Sequence, residues 1–168
     1  MLYLLDANVL ITARDTYYDF GMVPEFWNWL EHHAKAGNVR MPNETLSEIL
    51  DGASKPGKDL LYDWVNRRNL KVSLDNGTAD LRKVQHVLTC GYGAGMTDEQ
   101  IGSLRADPFL VAHGLGVSNC SVVSNEHSKP NRAPQNRKVP DACNRLSIRC
   151  INGATFIREL GFSTAWKA

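Results

Sequence analysis

Short apolar runs alternate with segments of helical periodicity along nearly the whole chain, and this alternation constrains the fold more than any other feature of the sequence. The runs fall at 2–5, 39–41, 70–74, 121–124 and 148–151. Between the first two, Phe26, Trp27, Leu30 and Ala34 recur at helical spacing behind Pro24, which suits a first helical position. Leu46, Ile49 and Leu50 give the next helix its buried face, opened by Pro42-Asn43. A break over 52–57 leads to a helix over 58–68 with Leu61, Trp64 and Val65 inward. Further helices are expected over 8–14, 78–90, 105–115, 140–146 and 154–160, with loops at 91–95 and 127–138. Thr97-Asp-Glu-Gln100 has the pattern of a capping box. Short apolar strands separated by helices predict an α/β fold, a parallel sheet of about five strands with helices on both faces. The 168 residues suit one domain, 1–168.

In such sheets, ligands bind beyond the carboxyl ends of the strands, near the point where strand order reverses. The residues that follow the strands are therefore the ones to weigh. Asp6 follows the first run directly, with Asn8 two residues on to orient it or to cap a helix. Glu48 lies in the helix after the second run, with Glu44 one turn earlier as its competitor. Asp107 precedes Pro108 at the head of a small and apolar helix, where it reads equally well as an N-cap. Glu126 follows the fourth run, and Asp141 precedes the fifth. Each acid alone has an ordinary structural explanation.

Together they are harder to explain that way. Carboxylates within about 4–6 Å of one another repel and raise each other's pKa, so a fold gains nothing by gathering them. A hard divalent cation reverses the balance: Mg²⁺ or Mn²⁺ takes oxygen ligands, commonly one or two carboxylates with water and substrate phosphate. Chemistry at such a site is phosphodiester hydrolysis by activated water, with no Ser, Cys or His nucleophile required. His32, His33, His86, His113 and His127 show no paired metal-ligand spacing, and His113 reads as a packing residue.

At these positions the sequence resembles a known family. The opening Tyr3-Leu-Leu-Asp-Ala-Asn-Val-Leu-Ile11 looks like the first strand of the PIN domain, a metal-dependent ribonuclease fold. Asp107-Pro-Phe-Leu-Val-Ala112 resembles its third acidic motif, Val122-Val-Ser-Asn-Glu126 its fourth, and Glu48 its helical second acid. With Phe26-Trp27 and Lys138-Val-Pro-Asp-Ala-Cys143, the chain is similar to an uncharacterised prokaryotic branch. Ser124 and Glu126 stand where Thr and Asp are usual. The resemblance implies a three-layer α/β/α sandwich and an Mg²⁺- or Mn²⁺-dependent endoribonuclease. Asp6, Glu48, Asp107 and Glu126 would be catalytic, with Asp6 and Asp107 on the metal and either Glu126 or Asp141 as the fourth ligand. Asn8 and Ser124 would orient water or carboxylates. Many relatives are toxins silenced by a small antitoxin protein, and a homodimer is a further option.

Charge is compatible with that reading. Lys plus Arg total 19 against 18 Asp plus Glu, a net +1, which excludes a module binding nucleic acid by bulk charge. The bases can still be local. The 127–138 loop carries Lys129, Arg132, Arg137 and Lys138 and no acid, a candidate RNA-binding flank. Tyr17, Tyr18 and Phe20 read first as core or partner interface and second as a platform for unpaired bases. Trp27, Trp29 and Trp64 read as packing. No apolar run is long enough to span a membrane, and Asp6 interrupts the start too early for a signal peptide, so a cytoplasmic location is expected. Cys90, Cys120, Cys143 and Cys150 form no metal-type pair and are expected reduced and mostly buried. The alternatives are an inactive PIN-like module that binds RNA or protein, and a phosphotransfer enzyme using Asp6. Asn8, where the latter needs a second Asp, weighs against it.

Overall fold

A computed structural model of the chain describes residues 1–52 and 59–167. The chain begins with β1 (Leu2–Leu5), α1 (Ala7–Thr12) continued by a π-helical stretch (Ala13–Tyr17), α2 (Pro24–Lys35), β2 (Val39–Arg40) and α3 (Asn43–Gly52). Next come α4 (Leu60–Val65), α5 (Arg68–Leu74), α6 (Leu81–His86) continued by a second π-helical stretch (Val87–Gly93), and α7 (Asp98–Ser103). The chain closes with α8 (Asp107–Gly114), β3 (Cys120–Val123), α9 (Val139–Arg145), β4 (Cys150–Ile151) and α10 (Gly153–Glu159). The 127–138 loop is irregular apart from a 3₁₀ turn at Pro134–Asn136.

All four strands are parallel, in the order β2-β1-β3-β4. From β1 the chain moves outward to β2, then returns across β1 to form β3. The order therefore reverses between β1 and β3, and side chains just after these two strands converge at the switch point.

Successive residues of these strands enter different cores. Tyr3, Leu5 and Val123 pack with Phe26, Trp29, Leu30 and Phe156 on one face, whereas Leu4 and Val122 pack with Leu110, Val111, Val139 and Cys143 on the other. Both faces are thus covered by helices, which explains why the strands are apolar without alternation. The arrangement is compatible with three α/β/α layers. Helix α8 approaches the sheet closely: a Cβ on Gly114 would lie 3.1 Å from Val122 and 3.2 Å from Ile148.

Two aromatics from the trio after α1 belong to the packing. Tyr18 stacks on Phe26 with ring centroids 4.2 Å apart, and Phe20 stacks on Trp27 at 3.9 Å. Tyr17 remains 67% exposed. Trp27, Trp29 and Trp64 are buried as expected, and the indole of Trp166 donates to the Glu25 carbonyl at the start of α2. Cys120 and Cys143 are buried, Cys150 is half-buried and Cys90 is exposed; all four are free thiols. No helix among the described residues is long and apolar enough to cross a membrane.

One expected strand is a helix. Residues 70–74 form the end of α5, and among the described residues the sheet has four strands rather than about five. Five residues fit either period, and the side chains decide: Leu70 and Leu74, four apart, are 1% and 0% exposed, while Val72 between them is 70% exposed. A strand would have put all three on one face. Leu74→Ala is therefore expected to cost about 2–5 kcal/mol and Val72→Ala less than about 0.5 kcal/mol, as read by urea unfolding. Similar losses at both positions would contradict the helix. The break expected over 52–57 lies almost wholly outside the described residues, and the helix expected from 58 is α4, capped by Asp59 through the Leu61 and Tyr62 amides.

Candidate active site

Asp6 ends β1 at the switch point and is 5% exposed. It is the N-cap of α1, accepting from the Asn8 amide at 3.3 Å, so its structural role is real. Its carboxylate does more than cap. Oδ2 accepts from the Asn8 side chain at 2.6 Å and from the Ser124 hydroxyl at 2.7 Å, and Ser124 follows β3. Asn8 also donates to Ser124 Oγ and accepts from the Asn125 amide, while the Glu126 amide donates to Ser124 Oγ. The ends of β1 and β3 are therefore tied through Asp6, Asn8 and Ser124.

Asp107 is the first residue of α8, not its cap; Ala106 is the cap and has helical angles. Freed from capping, the half-buried carboxylate accepts no hydrogen bond among the described residues. Glu48 reaches the same place from α3, accepting from the Ala106 amide at 3.3 Å, and so faces the start of α8 rather than solvent. Glu44, its competitor, shares with Glu48, Asp51 and Arg105 a cleft of about 480 Å³ beside the site. Glu126 completes the group, held by the Lys138 ammonium at 2.6 Å and the Val139 amide at 3.0 Å.

The electrostatics follow from this gathering. Burial pushes the Asp6 carboxyl up to about 6 against its hydrogen bonds, with Glu126 and Glu48 adding to the rise. Asp107 is pushed up to about 8, first by burial and then by the charges of Asp6, Glu126 and Glu48. Lys138 opposes these acids; Glu126 holds its ammonium charged, and Asp107 and Asp6 reinforce the effect. Four acids from four separate stretches of chain thus bear on one another at this place, with the Lys138 ammonium against Glu126.

Asp141 is turned elsewhere. Its carboxylate accepts from the Ser128 hydroxyl and from the Lys129 and Lys138 amides, which holds its pKa below the usual range despite burial. It pins both ends of the 127–138 loop to the start of α9. Asp141→Ala is expected to cost about 2–4 kcal/mol in urea unfolding, since amide donors lose a charged acceptor. A loss below 1 kcal/mol would contradict the clamp.

The loop bases divide in the same way. Lys129 and Arg132 are exposed and carry no ion pair among the described residues. Lys138 belongs to the acidic group, and the Arg137 guanidinium donates to the Tyr92 carbonyl in the second π-helical stretch. Tyr92 is itself a residue the sequence did not flag: its hydroxyl is buried without a hydrogen-bond partner, and burial together with the Asp107 charge raises its pKa. Asn125 was also missed; its side chain accepts from the Gly153 amide and links β3 to α10. His113 is only half satisfied, with Nδ1 on the Asn76 amide and Nε2 buried without a partner.

The donor set suits a hard divalent cation. It offers carboxylate oxygens only, and its acids repel one another until positive charge is supplied. Among the described residues no three His, Cys, Asp or Glu side chains stand close enough to form a ready-made cage. Mg²⁺ does not require one, because it commonly keeps several waters and takes one or two carboxylates.

No curated protein and no solved structure matches this chain. A protein family does match, over residues 3–164, and it covers both cores and every residue of the acidic group. The chain belongs to DUF4411, a family described as a domain of unknown function.

Proposed function

We propose that the protein is a PIN-like, metal-dependent endoribonuclease that hydrolyses RNA phosphodiester bonds with activated water. The observation that carries this reading is the convergence of Asp6, Glu48, Asp107 and Glu126 at the switch point, where two of them hold raised pKa values. Asp6 and Asp107 would hold Mg²⁺ or Mn²⁺, with Glu126 in preference to Asp141, whose oxygens are taken by the loop. Bound there, the cation supplies the charge that neutralises the phosphate and activates water. Asn8 and Ser124 fix the Asp6 carboxylate, and Glu48 buttresses the start of α8 beside Asp107. Lys129 and Arg132, exposed on the adjoining loop, supply phosphate contacts.

Incubation with single-stranded RNA tests the reading. Cleavage is expected with Mn²⁺ and none in chelator; undiminished cleavage in chelator would overturn the metal mechanism. The Lys138–Glu126 ion pair favours a second reading, an inactive PIN-like module whose own lysine has replaced the cation. Absence of cleavage with either ion, together with intact RNA binding, would favour it.

The family resemblance extends the proposal to a toxin restrained by a small antitoxin protein. Expression in a bacterial host is expected to arrest growth, and Asp107→Asn to restore it. Equal growth with and without expression would contradict the toxin role.

A further inference from the structure

A second cleft, of about 650 Å³, has Glu126 of the acidic group in its wall. Tyr17, Asn125, His127 and Asn152 line it with Val9 and Ile157. We infer that it is a subsite for one unpaired RNA base next to the bond being cut, with Tyr17 as its stacking ring; this rests on the nuclease reading above.

Four observations on the cleft support a base rather than another ligand. Tyr17 comes from the trio after α1, but unlike Tyr18 and Phe20 it is not committed to the core and stays 67% exposed on the π-helical stretch. The lining then supplies groups that read a base edge. The Asn125 and Asn152 side chains each use the carbonyl oxygen to accept, from the Gly153 and Thr155 amides, and the NH₂ of each makes no hydrogen bond among the described residues. The His127 ring is exposed at the same wall. Among the described residues that line it the cleft has no Lys or Arg, so it suits an uncharged base, while Lys129 and Arg132 on the loop that starts at its wall suit the phosphates. Finally, Asn125 and Glu126 join the cleft to the acidic group directly, so an occupant lies one residue's width from the candidate chemistry. Its size is within the range of small-ligand sites.

The experiment is fluorescence anisotropy with a labelled single-stranded hexanucleotide RNA, in the Asp6→Asn background so that the RNA stays intact. Adding Tyr17→Ala is expected to weaken binding roughly 5- to 100-fold, whereas Tyr17→Phe and Tyr17→Trp retain it, and the introduced indole is quenched on binding. Against an RNA lacking its bases, the Ala and Tyr forms should bind equally. Equal binding of normal RNA by the Ala and Tyr forms would overturn the subsite alone, leaving the cleft to a protein segment. Absence of binding to any RNA would overturn the subsite and the nuclease reading together.

Discussion

Asp6→Asn is expected to abolish RNA cleavage, lowering the rate by more than about 100-fold, because loss even of residues that only support metal ligands costs 10- to 100-fold. The substitution keeps the side chain's size and its capping oxygen, so α1 retains its start. Ser124 can accept from the new side-chain amide, and Asn8, which loses its acceptor on residue 6, keeps Ser124 Oγ. What is lost is the negative charge at the switch point between β1 and β3. The discriminating control is stability. If Asp6 were only a cap, Asp6→Asn would leave cleavage within a few-fold of wild type, and that outcome would remove Asp6 from the site. No cleavage, with a melting temperature in chelator that is not below wild type, is the expected pairing, because the lost charge is one that the folded state disfavours.

Asp107→Asn should raise stability at alkaline pH, for a reason that applies to Asp6 as well. In metal-free protein the folded-state pKa values of Asp6, about 6, and Asp107, about 8, both lie above the ordinary 3.8. The folded state therefore holds these protons more tightly than the unfolded chain. The stability this contributes is complete below about pH 4 and is lost as pH rises through about 6 for Asp6 and about 8 for Asp107. The Asp6 shift corresponds to about 3 kcal/mol. Asp107 is half-buried and partly screened by solvent, so about 2–3 kcal/mol is a discounted figure for it. Asparagine at position 107 carries no charge, so Asp107→Asn is expected to melt roughly 5–10 °C above wild type at pH 8.5 in chelator. Below about pH 4 the two should melt together. A destabilised Asp107→Asn protein at pH 8.5 would show that the acids are not in conflict.

The residues that could be read from the sequence are those whose roles depend on near neighbours. Asp6 is placed by the four apolar residues before it and oriented by Asn8 two residues later. The Asp107-Pro108 pair announces the start of α8 correctly to within a residue, although the cap is Ala106. Roles set by tertiary contacts were not legible. Nothing local to α3 says that Glu48, rather than Glu44, meets the Ala106 amide. Lys138 reads as one more base in a polar loop, and only the return of that loop to β3 brings it onto Glu126. The same return gives Asp141 to the Lys129 and Lys138 amides. Residues 70–74 failed for a different reason, since a Leu-x-x-x-Leu stretch with a β-branched middle satisfies both periods.

The Lys138–Glu126 pair also bears on how readily a cation enters. An ammonium 2.6 Å from Glu126 must give way, at least in part, if Glu126 is to serve the metal. Lys138→Met is accordingly expected to tighten Mn²⁺ binding about 3- to 10-fold, while Asp141→Asn leaves it unchanged. Weaker binding in Lys138→Met would mean that the lysine supports the site rather than competing for it.

The most direct measurement of the central claim is a calorimetric titration of the purified protein with Mn²⁺ at pH 7.5, alongside Asp6→Asn and Asp107→Asn. A saturable heat in wild type that is lost in both variants is the predicted result. Wild-type binding that survives in both variants, or the absence of any saturable binding, would contradict a divalent cation held between Asp6 and Asp107.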